Sequence, residues 1–210
     1  MYSNLEVSTD GAIGRIWLNR PERLNALSLE LLNELTAAAH YFDAQDQVRV
    51  VIVAGRGRAF SAGADLQGFP QLDDPGVRAA ADAGRRMADA LEDMRAVTIA
   101  LIHGWCVGGG LVLAAACDLR LATEDAQFSI PEVDLGIPLA WGGIPRLVRE
   151  IGPALTKELV ITCRKFGAEE ALSSGFLNRK VDPDNIDSAA LELAQQVAAR
   201  PALPVFATKR

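Results

Sequence analysis

The sequence predicts an α/β protein in which short buried strands alternate with helices. Two runs, VRVVIVAGRG and VTIALIHGW, are rich in β-branched residues and end at or near glycine, which is typical of strands buried in a parallel sheet. Amphipathic helical patterns stand between these runs, and strand–helix–strand order predicts right-handed βαβ crossovers. From Trp141 onward the pattern is mostly helical. We therefore expect an α/β core at 1–140 and a smaller helical region at 141–210.

The first elements follow from periodicity. The segment GAIGRIWLNRP alternates apolar and polar residues and stops at a proline, so it predicts a strand. The segment SLELLNELTAAAHYFDAQD predicts a helix, because Leu31, Leu32 and Leu35 recur at helical spacing after Ser28, a suitable N-cap.

The later elements continue the alternation. After the first buried strand, FSAGADLQGFPQLDDPG predicts a loop and VRAAADAGRRMADALEDMR an amphipathic helix. After the second, three glycines lead into a helix that is apolar on most faces, and DLRLAT predicts a further strand. The helical region contains PRLVREIGPALTKELVIT, AEEALSSG and NIDSAALELAQQVAAR.

Composition argues against several classes of partner and indicates the redox state of the cysteines. The chain has 210 residues and a net charge of −6 without a run of Lys and Arg, which argues against nucleic acid as the main partner. No segment has the order of a signal peptide or the length of a membrane span, so we expect no membrane partner. The odd, widely spaced Cys106, Cys117 and Cys163 predict reduced core residues of a cytoplasmic protein.

The three contiguous glycines, Gly108–Gly110, place backbone N–H groups at a helix start, where a negative or polarised group binds. A dinucleotide pyrophosphate fits poorly, since that fingerprint needs spaced glycines and an acid about 20 residues later. An oxyanion hole is the other interpretation. A second glycine loop, AFSAGADLQG, also follows a strand. Either loop alone is typical of a tight connection, but two after neighbouring parallel strands favour a functional site.

Several motifs in order, NRPERLNALS, FSAGADL, HGWCVGGGLVLAAACDLRLAT, AQFSIPEVDLGI, GGIPRLVREIGPALTKELVITC and AEEALSSGFLNRKV, resemble the crotonase superfamily, the enoyl-CoA hydratase/isomerase family. The resemblance covers nearly the whole chain. It implies a spiral of ββα units with a C-terminal helical region, a homotrimer or dimer of trimers, and an acyl-CoA thioester substrate. It implies no metal and no cofactor beyond the coenzyme A of the substrate.

Position by position, the resemblance places two carbonyl-binding N–H donors at Ala64 and Gly109 and a proton-transferring glutamate at Glu132. A second glutamate of the family, on the first turn after the glycines, is replaced here by Val112, which cannot carry a proton. We expect partial desolvation in an apolar pocket to raise the pKa of Glu132 toward the working range of a general acid or base. The resemblance also places two segments that contact coenzyme A at residues 24–26 and 62–66. The predicted substrate-binding residues are Leu24, Ala26, Ala62, Asp65, Leu66, Trp105, Val107, Pro131, Leu135, Ala140 and Trp141.

Other polar residues are candidates to replace the missing acid. Asp134 is close to Glu132 in sequence, and Asp65 is more typical of a turn acid that binds local N–H groups. His103, at a strand end, is more typical of a structural histidine. Cys106 has no evident histidine partner, and Ser61 does not lie in a G-x-S-x-G elbow. Trp141 either shapes the acyl pocket or is a core tryptophan.

A single glutamate suits a double-bond shift, in which one base removes a proton and returns it to another carbon, whereas hydration usually needs two carboxylates. We therefore expect an enoyl-CoA hydratase or isomerase, with isomerisation favoured. The alternative is a non-catalytic acyl-CoA-binding member, and a thioester hydrolase is a weaker third. The resemblance also implies helical turns beyond the final ALPVFATKR, which in the family help to cover the site and build the trimer.

Overall fold

Two sheets organise residues 2–66 and 74–209, which a computed structural model describes apart from the side chains of residues 74, 75 and 77. The larger sheet has the order β1 (Leu5–Asp10), β2 (Ile13–Leu18), β3 (Val50–Gly55), β5 (Val97–Ile102), β7 (Leu119–Thr123) and β10 (Arg179–Val181). The smaller sheet has the order β4 (Ala59–Ser61), β6 (Trp105–Val107), β8 (Gln127–Ser129) and β9 (Phe166–Gly167). The pairs β1–β2 and β8–β9 are antiparallel, and the other described pairs are parallel.

The helices follow the strands in a repeating order. They are α1 (Leu29–Asp43), α2 (Asp74–Glu92), α3 (Gly109–Ala115), α4 (Gly143–Thr162), α5 (Ala168–Ser173), α6 (Ile186–Ala198) and α7 (Ala202–Lys209). Each of α1 to α4 follows a pair of strands, and in the last three units the first strand joins the larger sheet and the second joins the smaller one. This repetition confirms the expected spiral of ββα units.

The larger sheet is covered on both faces. The main core packs α1, α2 and α3 on one face, and a second cluster packs Ala190 and Ala194 of α6 against Val50, Ile52 and other residues of the opposite face. Helices on both faces explain why β3 is buried along its whole length and reads as a continuous apolar run.

Most predicted elements are confirmed, with informative exceptions. Ser28 caps α1 as expected, its Oγ accepting from the N–H of Leu31 at 3.2 Å. The loop predicted from Phe60 onward instead begins inside β4, and β1 and α7 were not predicted. Residues 67–73 of that loop lie outside the described residues. Helix α4 is kinked at Gly152, whose φ of 77° interrupts the helix just before a proline.

The region after residue 140 is mostly helical, as predicted, but its strands return to both sheets. Strand β9 pairs with β8, and β10 pairs with β7. The division into 1–140 and 141–210 stays a prediction.

The cysteines follow the prediction in part. Cys106 and Cys117 are free and buried, whereas Cys163, which ends α4 in a left-handed conformation, is free and only partly buried. None of the helices in the described part of the chain combines the length and apolar character needed to cross a membrane.

Candidate active site

Each of the three contiguous glycines leaves room for a different neighbour. A methyl group on Gly108 would overlap Oε1 of Glu132, and one on Gly109 would overlap the indole ring of Trp141. On Gly110, a methyl group would lie 2.8 Å from Cβ of Ser61. The glycines therefore allow a carboxylate, an aromatic ring and a strand end to reach the start of α3 together.

The two predicted N–H donors lie on loops in contact with each other. Strands β4 and β6 are parallel neighbours, so the loops that leave their carboxyl ends meet. A methyl group on Gly63 would lie 3.4 Å from the backbone nitrogen of Gly109 and 2.7 Å from the carbonyl oxygen of Val107. Within residues 2–66 and 74–209, no oxygen accepts a hydrogen bond from the N–H of Ala64 or of Gly109. Their role as donors to a carbonyl oxygen stays a prediction.

Glu132 lies in the turn after β8 with its carboxylate against the glycine loop. Its side chain is partly buried, and Oε2 is fully buried with no hydrogen-bond partner among the described residues. Burial raises the pKa of Glu132, and a backbone hydrogen bond within the residue only partly offsets this. Asp134, the nearby alternative, is exposed. The direction of this pKa shift is the one expected for Glu132.

The position of the missing second acid is filled by apolar groups. Val112 follows Gly109 by three residues, so it lies on the same face of α3. Val112 is fully buried, and its Cγ2 would lie 2.7 Å from a methyl group on Gly143. Trp141 covers Gly109 on that face. The segment 141–143 therefore lies along the helix face where a second carboxylate would stand.

The two segments predicted to bind coenzyme A pair with each other. The N–H of Ala62 donates to the carbonyl of Leu24 at 2.9 Å, and the N–H of Leu27 donates to the carbonyl of Gly63 at 2.8 Å. An open cleft runs along this pairing. It is lined by Glu22, Arg23, Leu24, Ala26, Arg58, Ala62, Ala64, Asp65 and Leu66.

Asp65 is not the local turn acid that the sequence predicted. Its carboxylate pairs with Arg20 at 2.9 Å and with Arg23 at 3.2 Å. Burial alone would raise the pKa of Asp65, but the hydrogen bonds and charges of both arginines hold it below its ordinary value. The reason is tertiary: the paired segments bring residues some forty positions apart into contact. A substrate contact of Asp65 stays a prediction.

Asn25 was missed as a positioning residue. It is fully buried with a φ of 53°, and its Nδ2 donates to the carbonyl oxygens of Arg56 at 2.9 Å and Ala59 at 2.8 Å. These bonds tie the first cleft segment to the approach of β4. The signal was available, because asparagine is enriched at left-handed backbone positions.

Arg58 was also missed. Its side chain is exposed at the cleft, and among the described residues no carboxylate pairs with it. It therefore supplies a positive charge to this otherwise acidic protein at the place where the coenzyme segments meet.

The remaining predicted substrate contacts are spread around this centre. Trp105 begins β6, where Nζ of Lys165 lies 5.0 Å from its ring centroid. Leu66, Leu135 and Ala140 are exposed, and Pro131 is partly buried. The structure brings Leu24, Ala26, Ala62, Ala64, Asp65 and Leu66 together at the cleft, and Glu132, Gly109 and Trp141 at the glycine loop. Their roles as substrate contacts stay predictions.

The alternative nucleophiles and bases have structural surroundings. Oγ of Ser61 is buried, donates to the carbonyl of Asn25 at 2.9 Å and accepts from the N–H of Gly63 at 3.2 Å. Cys106 is buried, and burial raises the pKa of its thiol far above the ordinary value. Nε2 of His103 lies 2.8 Å from the carbonyl oxygen of Gly57. In the described ranges, no three His, Cys, Asp or Glu side chains are grouped as a metal site would require.

The fold and this site define a class of protein. The model of the enoyl-CoA hydratase/isomerase family matches residues 8–210, and the chain belongs to that family. It is thus an enzyme of the hydratase/isomerase type, as the sequence motifs predicted.

Particular relatives carry both kinds of name. A probable enoyl-CoA hydratase of Rhizobium meliloti (strain 1021) is 40% identical over 94% of this chain and 76% of its own length. A peroxisomal Delta(3,5)-Delta(2,4)-dienoyl-CoA isomerase of Arabidopsis thaliana is 34% identical over 99% of this chain and 81% of its own. The crystal structure of an enoyl-CoA hydratase from Bacillus anthracis superposes with a TM-score of 0.95 at 35% identity, over 99% of this chain and 81% of that one. These matches confirm the predicted family and fold.

Proposed function

We propose that the protein acts on an acyl-CoA thioester whose carbonyl oxygen accepts hydrogen bonds from the N–H groups of Ala64 and Gly109. Neither N–H group has an acceptor among the residues that the structure describes, and their loops touch at the carboxyl ends of β4 and β6. Two fixed donors stabilise the negative charge that develops on the oxygen when a proton leaves the neighbouring carbon.

Glu132 moves the proton. The observation that carries this proposal is the position of its carboxylate, which is packed on Gly108, with Oε2 buried and without a hydrogen-bond partner in the described part of the chain. A carboxylate in these surroundings has a raised pKa and is therefore a stronger base than an exposed one.

The apolar second position favours isomerisation over hydration. One carboxylate is enough to remove a proton from one carbon and return it to another, whereas hydration usually needs a second group for the water. Val112 and the segment over it fill that helix face with apolar groups, so the wild-type chain offers no second carboxylate there. Both reactions have a precedent among the relatives, since one is named a probable enoyl-CoA hydratase and another a dienoyl-CoA isomerase.

The cleft supports binding of the coenzyme part. The paired segments 24–27 and 62–65 offer backbone groups along its length, and Arg58 offers a positive charge suited to a phosphate. Coenzyme A then belongs to the substrate, and no other cofactor is needed. A homotrimer or dimer of trimers in the cytoplasm is part of the same proposal.

The test is a panel of 2-enoyl-, 3-enoyl- and 3-hydroxyacyl-CoA thioesters, with products identified by mass. We expect turnover of enoyl thioesters, lost by about 10²–10⁴-fold in Glu132→Gln. Asp134→Asn is the matched control, because it removes an exposed carboxylate two residues away and should leave turnover unchanged. Equal rates for wild type and Glu132→Gln would refute the assignment of Glu132.

Binding is tested separately by calorimetry. Acyl-CoA should bind far more tightly than the matching free fatty acid. Gly109→Pro, which removes one N–H at the first helical position, should weaken binding and turnover. Unchanged binding and turnover in this variant would contradict the donor assignment. Wild-type binding without any turnover would support the non-catalytic alternative.

A further inference from the structure

The indole ring of Trp141 is wedged between two helices beside the proposed donor. A methyl group on Gly84 of α2, or on Gly109 of α3, would overlap this ring. The ring therefore lies directly against the backbone of both helices, and Trp141 is only 9% exposed. The glycines at 84 and 109 make the space that the indole fills.

The backbone that carries the ring is held in place. Trp141 and Gly142 both have left-handed φ angles, 58° and 70°. Nη1 of Arg146 donates to the carbonyl oxygens of Trp141 at 3.3 Å and Gly142 at 3.2 Å, and its Nη2 reaches Asp89 of α2 at 2.8 Å. A non-glycine residue keeps a left-handed conformation only where its surroundings impose it, so the ring has a fixed position.

This position limits what can extend from the oxyanion hole. A carbonyl oxygen bound to the N–H of Gly109 would lie about 2.9 Å from its nitrogen, so the first acyl carbons follow within a few bond lengths of the indole. A long acyl chain that extends between α2 and α3 must displace the ring and lose the apolar burial of a tryptophan. A short acyl group can lie against the ring without moving it.

We propose that Trp141 is a specificity-determining residue, whose indole closes the acyl side of the site and restricts the substrate to thioesters of short acyl groups. This inference rests on the proposed function, because it requires the thioester carbonyl at Gly109. It adds the substrate class to that function.

The experiment compares kcat/KM for crotonyl-, octenoyl- and decenoyl-CoA, or for the matching 3-enoyl series if that is the one turned over. Wild type should prefer the shortest substrate. Trp141→Ala should shift the ratio of long- to short-chain kcat/KM by at least about tenfold toward the long chains, and Trp141→Phe by less. Trp17→Ala is the matched control, because this tryptophan lies on β2 at a different cavity and should leave the ratio unchanged.

A flat chain-length profile in wild type, or an unchanged ratio in folded Trp141→Ala and Trp141→Phe, would overturn the proposal. If neither variant folds, the fluorescence of a Trp17→Phe, Trp105→Phe double variant, in which Trp141 is the remaining tryptophan, decides: crotonyl-CoA should change the emission and free coenzyme A should not, whereas equal responses would contradict the placement. Failure of the proposed function itself gives a different result, namely no turnover of any enoyl thioester by wild type.

Discussion

Glu132 is partly buried, packs its carboxylate on a glycine and leaves one carboxylate oxygen without a partner among the described residues. These features favour the proposed proton transfer but lower the stability of the fold. No positive charge compensates its buried oxygen in the described residues, since Oε2 has no partner. Burial without a partner destabilises the ionised form, which is the form needed to remove a proton. The ionised carboxylate of Glu132 should therefore lower the free energy of unfolding by a measurable amount.

The first prediction concerns pH. Because the pKa of Glu132 is raised in the folded protein, the unfolded chain loses this proton first as pH rises. The contribution of Glu132 is thus most favourable below the ordinary glutamate pKa and is lost as pH rises through the folded pKa. Glu132→Gln should melt at a higher temperature than wild type at about pH 8, and the difference should vanish near about pH 4. A lower melting temperature for the variant at both values would contradict this sign.

The second prediction concerns Val112, the position without an acid. Val112→Glu should add a carboxylate on the face of α3 that carries Gly109 and increase water addition to crotonyl-CoA. Two carboxylates in one apolar site should raise the pKa of at least one of them. Because Val112 is fully buried, the change should also cost about 2–4 kcal/mol of stability.

Val112→Gln separates the two effects, since it has the same size and similar polarity but cannot transfer a proton. The loss of the enoyl thioester, followed by mass, is the measurement, after circular dichroism has established the fold. Equal hydration rates for Val112→Glu and Val112→Gln would show that the new carboxylate does not act.

At the scale of elements, one arginine joins α4 to α2 over the site. Arg146 is buried and pairs with Asp89 at 2.8 Å and with Glu92 at 2.5 Å, while it also bonds the two carbonyls before α4. Arg149 adds a second link to Glu92 at 2.6 Å. The loop that carries Trp141 is thus fixed by interactions between helices and not by its own sequence.

The third prediction tests this link. Arg146→Met should lower the free energy of unfolding by about 2–3 kcal/mol, because a buried cation is removed while its two carboxylate partners are about a third exposed. Arg85→Met is the matched control: Arg85 also pairs with Asp89, but on the surface, so its loss should cost at most about 1 kcal/mol. Chemical denaturation measures both, and equal losses would argue against the buried link.

At the scale of the molecule, local sequence patterns are sufficient to predict most of the helices and strands. The β-branched run of β3 is a strong signal because β3 is buried on both faces, and the apolar periodicity of α1 is strong because one face of this helix is buried. Strand β4 is three residues long and lies in a glycine-rich stretch, and β1 carries Glu6, Ser8 and Thr9 on a sheet edge, so neither has a strong pattern. Helix α7 contains a proline, which weakens its helical signal.

The site was predictable where it depends on motifs and hidden where it depends on distant contacts. Glu132 and Gly109 were identified from local motifs, and the structure brings their loops together. The pairing of Asp65 with Arg20 and the contact of Trp141 with Gly84 join residues far apart in sequence. No local pattern records such contacts, because the spiral of ββα units creates them.

The last prediction concerns assembly. Leu135, Ile137, Ile144 and Val148 are between 36% and 52% exposed within one short segment, and the last two lie one turn apart on α4. Exposed apolar side chains grouped in this way are typical of an interface between subunits.

With the family's expected trimer, light scattering should give the mass of a trimer or hexamer, in keeping with closed cyclic symmetry. Ile144→Glu combined with Val148→Glu should shift the mass toward the monomer, because the interface would then bury two charges without partners. Leu203→Glu, at a more exposed apolar residue of α7, is the control and should leave the mass unchanged. A monomer mass for wild type at high protein concentration would contradict the prediction.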